Sequence, residues 1–261
     1  MDLATIIGFV LAWGAFFASI VMEGGDLKAM INPSAMVLVF GGTLGASMMS
    51  VPLSAIIGLP GIVKNAFMSK KEDVPHTIRT LVGFAERARR EGLLALEDQT
   101  RDIDDPFLRR GIQLAIDGTD PELVRDILQT DIAFLGARHH NGANLFATMA
   151  GFAPTLGVIG TVAGLVHMLS NLSDPGSMGP SIAAAFIATL YGVSSANLVF
   201  LPLSNKLKHT STEEVLVREI VMEGILSIQA GDNPRIVEEK LKAFLSPKVR
   251  KTFEDAVEAS V

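Results

Sequence analysis

LFATMAGFAPTLGVIGTVAGLVHML, residues 145–169, runs for twenty-five positions without an aspartate, glutamate, lysine or arginine. A bilayer core of about 30 Å is crossed by about 20 helical residues, and a backbone in lipid must satisfy its own hydrogen bonds, so the stretch reads as a transmembrane helix. It is not isolated. Leu3–Met22, Ala29–Val63, His139–Ser173 and Pro175–Asn205 all lack Asp, Glu, Lys and Arg. Each contains one apolar span, at Leu3–Met22, Ala35–Ile57, Leu145–Leu169 and Ile182–Leu203. The whole chain of 261 residues is 49% hydrophobic and only 19% charged, below the roughly 25% of an average soluble domain. The fold class expected is an all-α integral membrane protein. It has four transmembrane helices, a helical cytoplasmic domain between spans two and three, and a helical cytoplasmic C-terminal tail. In numbers, residues 1–63 carry spans one and two, 64–142 the cytoplasmic domain, 143–203 spans three and four, and 204–261 the tail.

Composition also excludes. With no cysteine there are no disulfides, thiolate metal sites or cysteine nucleophiles. A net charge of -6 offers no concentrated basic surface for nucleic acid. No nucleophile–base set, metal cluster or phosphate loop appears, so an enzyme is not expected and no cofactor is called for.

Of the 22 Lys and Arg residues, 12 lie in Lys64–Arg138, 9 in Ser204–Val261, and one is Lys28. By the positive-inside rule the short loops Glu23–Pro33 and Ser170–Pro180 face outward and both termini are cytoplasmic. The first span lacks a basic leader and is a full membrane span rather than a cleavable signal, so an inner (plasma) membrane location is expected, with lipid around the spans.

Caps mark the polar helices. One follows Pro75 to about Gly92; Asp104-Asp105-Pro106 and Thr119-Asp120-Pro121 each pair a capping acid with a first-turn proline. Ser204–Ala230 reads as a charged amphipathic helix. Gly231-Asp232-Asn233-Pro234 then turns into a shorter one ending before Pro247, and Lys248–Val261 is polar enough to be loosely ordered. Because the uncharged stretches around spans two to four exceed 30 residues, these helices are expected to project beyond the bilayer and couple it rigidly to the cytoplasm.

Small residues recur at close-packing spacing: Gly41 and Gly45, Gly160 and Gly164, then Ala188, Gly192 and Ala196. Thr155, Thr161, Thr189, Ser194, Ser195 and Asn197 could line a hydrated path. No carboxylate accompanies them, and His167, the one titratable group there, is left without a role. Ion flow would therefore need a carboxylate from a partner. Pro154 and Pro202 end the cytoplasmic sides of spans three and four; apolar sequence continues on both sides of Pro154, which suits a hinge, while Pro202 suits a terminator.

Glu86–Asp98, ERARREGLLALED, gathers acids and cations within a few turns, with Leu93, Leu94 and Leu96 as apolar anchors. By composition it is a solvated helix end with local ion pairs. The segment nevertheless resembles the torque-generating stretch of flagellar stator subunits of the MotA/PomA family. Gly151–Leu165, GFAPTLGVIGTVAGL, and Ala188–Gly192, ATLYG, are similar to that family's channel helices, and Gly224–Pro234, GILSIQAGDNP, to its C-terminal signature.

The resemblance implies a stator subunit that couples proton or sodium flow to torque on the flagellar rotor. It implies that Arg89 and Glu97, supported by Arg90 and Asp98, engage the rotor protein FliG. It implies that Thr155, Thr161 and Thr189 belong to the ion pathway, Thr161 and Thr189 facing the partner's carboxylate, and that Pro154 and Pro202 couple ion passage to conformational change. The partner implied is a MotB/PomB-type, peptidoglycan-anchored subunit whose single span bears an aspartate, with five copies of this chain around two of it. Alternatives are a TolQ/ExbB-type energiser, which typically has three spans, and a stand-alone ion channel or transporter. The ion stays open: Thr161 resembles sodium-type units, yet Ala188 replaces a threonine of some sodium-type sequences. Polar or lateral flagellar service is equally open.

Overall fold

The structure, a computed structural model, describes residues 3–68, 73–100, 103–170 and 175–258, and all regular structure among them is helical. In chain order the helices are α1 (Leu3–Met22), α2 (Pro33–Met36), α3 (Gly42–Ser50), α4 (Leu53–Ile57), α5 (Leu59–Met68), α6 (Val74–Glu91) and α7 (Glu97–Thr100). They continue as α8 (Pro106–Ile116), α9 (Pro121–Ser170), α10 (Pro175–Ser195), α11 (Leu201–Gln229), α12 (Pro234–Lys242) and α13 (Pro247–Glu258). π-helical stretches at Val37–Gly41 and Ala196–Phe200 join α2 to α3 and α10 to α11 without a break.

Four helical runs are long and apolar enough to cross a membrane: Leu3–Met22, Pro33–Ser50, Pro121–Ser170 and Met178–Gln229. These are the four spans expected, with two differences. Span two stops at Ser50 rather than Ile57. Val51 adopts extended backbone (φ -141°, ψ 156°) because it precedes Pro52, whose ring disfavours helical geometry in the residue before it. Pro202, by contrast, terminates nothing, and the helix runs on to Gln229. The wider π turn just before it, in which the Leu201 N–H reaches back to Ala196 O, makes room for the ring, an adjustment that membrane helices use to tolerate proline.

The chain forms two compact units, Met1–Lys70 with His139–Thr210, and Lys71–Arg138 with Ser211–Val261. In the first, α1 has no buried residue, as suits an apolar helix that faces lipid. The buried apolar centre is small, Ala35, Val39 and Ala188 with Ile187 and Tyr191 against it, because membrane helices associate through small residues and close contact rather than through a large apolar core.

The second unit has a core of the soluble kind, in which Ile78, Leu81, Ile112, Leu128, Ile220 and Leu241 are nearly solvent-free. Its helices start where the caps say. The Asp105 carboxylate accepts from Phe107 N–H at 3.0 Å ahead of Pro106, and Asn233 accepts from Arg235 N–H at 3.1 Å ahead of Pro234. Gly231, at φ 72°, takes the left-handed conformation that ends α11. The tail differs from expectation, since it is helical from Pro247 to Glu258. A ring and an ion pair seat it: Phe253, 4% exposed, lies 5.9 Å from the Arg79 guanidinium and 5.5 Å from the Lys242 ammonium, and Arg250 pairs with Glu239 at 3.2 Å. Burial opposes the charge on Lys242, yet Glu238 at 2.6 Å and Glu239 at 3.4 Å hold its ammonium above the usual lysine range.

Candidate functional site

α9 and α10 approach each other backbone to backbone. A Cβ at Gly157 would lie 2.8 Å from Ala188 O, at Gly160 2.7 Å from Ala188 Cβ, and at Gly164 2.8 Å from Ala185 Cβ. At Gly192 it would overlap the Ala153 carbonyl and stand 3.2 Å from Gly157 Cα. The small residues of spans three and four thus do what their spacing suggests. Within one chain those of span two differ: among the described residues, a Cβ built on Gly41 or Gly45 meets nothing within 4 Å beyond its own helix, and the neighbouring Gly42 instead meets Leu156 at 3.2 Å. One residue turns a helix by 100°, and a uniformly apolar span does not mark which face is inward.

This close approach brings together Thr161 and Thr189. The Thr161 hydroxyl lies 2.9 Å from Ala185 O and 3.2 Å from Gly157 O, and it shares a hydrogen bond with the Thr189 hydroxyl. Thr189 Oγ1 is 3.3 Å from Gly157 O. Four oxygens therefore converge, two hydroxyls and two carbonyls that also serve their own helices. Such an oxygen-rich cluster offers donors of the kind that suits a hard cation or a proton carried by water. Thr155 stays outside it: its hydroxyl is exposed and donates to Phe152 O of its own helix at 2.7 Å. Ser194, Ser195 and Asn197 likewise bond carbonyls of their own helix, Leu190 O, Gly192 O and Val193 O. Pro154 sits inside α9, next to the Ala153 carbonyl that faces Gly192. Pro202 is exposed and His167 is exposed near the end of α9.

Tyr191, the single tyrosine, is a structural tie that pattern reading passed over, although a lone phenol in an apolar span is itself a signal. Its hydroxyl donates to Met30 O and accepts from Asn32 N–H at 3.2 Å, and its ring stacks on Phe40 at 5.9 Å. Asn32 caps α2 by accepting from Ala35 N–H at 3.1 Å. Tyr191 therefore ties the loop before span two to span four. Replacing it with Phe keeps the ring and removes both hydrogen bonds, each worth about 0.5–1.5 kcal/mol. The expected result is a thermal midpoint lowered by a few degrees in detergent, with membrane insertion retained.

Arg89 and Arg90 lie in the last turn of α6, and Glu97 and Asp98 in the first turn of α7. Each sign therefore sits at the helix end whose partial charge favours it. Gly92, at φ 83°, breaks the chain between them. A 3-10 turn, Leu93–Leu96, carries it on, anchored by Leu96, which is 1% exposed, whereas Leu94 is 72% exposed and anchors nothing. All four charged residues are exposed. Among the described residues none of them forms an ion pair; the local pair is Arg87 with Glu91 at 3.0 Å. Composition suggested charges spent on one another, whereas the structure leaves these four facing solvent.

Residues 99–220 match the model of the MotA/TolQ/ExbB proton channel family, and residues 6–92 that of the motility protein A N-terminal region. Motility protein A of Borreliella burgdorferi is 40% identical over 257 residues, 98% of this chain and 99% of the relative. That of Bacillus subtilis is 37% identical over 260 residues, 99% and 96% of the two chains. Among solved structures, a chain of the flagellar MotAB stator complex from Bacillus subtilis superposes with a TM-score of 0.90 at 37% identity, over 96% of this chain and 99% of that one.

Proposed function

The chain belongs to the motility protein A family, within the MotA/TolQ/ExbB proton channel family, and is a stator subunit of the bacterial flagellar motor; from that premise we propose how its residues divide the work. It is a multi-pass inner-membrane protein that assembles with copies of itself and a MotB/PomB-type partner. The full-length relatives are motility proteins, which disfavours the TolQ/ExbB-type energiser as its role.

The cluster of Thr161 and Thr189 is the chain's share of the ion path. The observation that supports this is the convergence of four oxygens in spans that hold no Asp or Glu, so that the partner's carboxylate supplies the negative charge. Thr155 stands apart on the same helix and serves the path's entrance. Pro154, beside the Ala153–Gly192 contact, and Pro202, after the π turn, are the points where the helices bend as the ion passes. The transported ion is a proton or sodium; the oxygen-rich cluster favours sodium. Five copies form a ring, both termini lie in the cytoplasm, and Arg89, Arg90, Glu97 and Asp98 meet charges on the rotor protein FliG.

Exposed charges contribute little to folding, about 0–1 kcal/mol per pair, while a reversal facing a charged partner costs several kcal/mol. Arg89→Glu and Glu97→Lys should each lower torque at unchanged membrane level, and a reversed charge on FliG should partly restore it. The double variant should not recover by itself, because the two side chains do not pair with each other. Full motility in both single variants would free these residues from the rotor contact.

A further inference from the structure

In the second unit, α6, the turn at Ile103–Asp105, α8 and α11 enclose an open cavity of about 690 Å³. Its walls are mixed. Phe84, Ile103, Leu108 and Val217 supply apolar surface; Asp104, Asp105 and Glu214 supply carboxylates. Arg218 offsets part of that charge, lying 3.3 Å from Glu214 and 4.0 Å from Asp105 with its guanidinium over the Phe107 ring.

Elsewhere on the same unit, α9 shows a face with the opposite character. Phe134 is 64% exposed and points away from α11, since two residues later Gly136 faces Val215 at 3.8 Å. One turn to either side stand Thr130 and Arg138, both exposed, so spacing by four aligns hydroxyl, ring and cation in one stripe. The stripe complements the cavity: a ring for the apolar walls of Phe84, Ile103, Leu108 and Val217, and a guanidinium for the exposed Asp104 carboxylate.

The two surfaces also agree in level. The Gly136–Val215 contact sets Phe134 beside Glu214, Val217 and Arg218 along the α9–α11 pair. Copies in one bilayer that close into a ring have no rise between neighbours, and a ring interface joins two different surfaces of the same chain. A cavity and a separate knob at the same level of one chain meet that requirement.

We propose that Phe134 of one copy inserts into the His76–Arg218 cavity of the next, with Arg138 paired to the acidic wall, and that this contact links successive subunits of the stator ring. The proposal rests on the self-assembly stated above and adds the surfaces that perform it.

The absence of cysteine makes the test direct. In the full chain co-expressed with its partner subunit, Phe134→Cys combined with Thr80→Cys at the cavity wall should give, on mild oxidation in membranes, a ladder of cross-linked species extending past the dimer. Neither single variant should do so. Adding Arg138→Glu to the pair should diminish the ladder, and adding Asp104→Arg as well should restore it. Native mass of the cysteine-free parent separates the outcomes. An oligomeric parent whose double-cysteine variant stays uncross-linked, or whose Phe134→Cys variant alone yields dimers as readily, overturns the interface. A parent that is monomeric overturns the assembly itself.

Discussion

Gly192→Ala should abolish motility by preventing assembly. The added methyl would meet the Ala153 carbonyl and lie 3.2 Å from Gly157 Cα. These are backbone atoms on the facing helix, which cannot turn aside as a flexible side chain could. Overpacking of a well-fitted contact costs about 1–3 kcal/mol when side chains can adjust, and here the two helices must separate. Separation would also weaken the contacts at Gly157, Gly160 and Gly164, so the effect should reach the upper end of that range or beyond. The measurement is the fraction of assembled complex on native gels, alongside swimming. Gly41→Ala is the matched control: with no atom within 4 Å of its Cβ, it should assemble and swim as the parent does. An assembled, motile Gly192→Ala protein would show that α9 and α10 do not pack as described.

Thr189→Val should produce the opposite combination, normal assembly with torque largely lost. Valine matches threonine in shape and is at home in a membrane helix, while the oxygen that faces Thr161 and Gly157 O disappears. Thr161 keeps its bond to Ala185 O, so the helix pair holds. Losing one ligand oxygen or hydrogen bond in a desolvated site costs about 1–3 kcal/mol, and each 1.4 kcal/mol is tenfold in occupancy, so a fall of about tenfold or more is expected. Thr189→Ser, which restores the hydroxyl, should recover most of it. Measuring the parent and both variants against external sodium, with and without a protonophore, also identifies the ion. Speed that follows sodium and survives the protonophore supports the cation reading of the cluster; the reverse supports protons. Normal torque in Thr189→Val would remove this hydroxyl from the path.

What was legible before the structure was whatever the solvent dictates. Charge is costly in lipid, so four uncharged runs declared four spans, and prolines preceded by Asp or Asn declared helix starts that Asp105 and Asn233 then provided. What was not legible depends on rotation and contact. Gly41, Gly42 and Gly45 are equivalent in composition, yet only Gly42 meets another helix. Thr155, Thr161 and Thr189 are equally plausible pore hydroxyls, yet only the latter two converge. Leu94 looked like an anchor and is exposed, because the 3-10 turn beginning after Gly92 directs Leu96 inward instead. The tail's polarity concealed that Phe253, with Arg250 paired to Glu239, can dock a helix.

Two of the four oxygens around Thr161 and Thr189 are main-chain carbonyls, Gly157 O and Ala185 O. No codon can delete them while the helices stay together. Substitution can vary only the two hydroxyls, so any exchange at Thr161 or Thr189 leaves half of the cluster's oxygens in place. The main chain is a permanent frame, and the side chains are the part of the cluster that can be retuned.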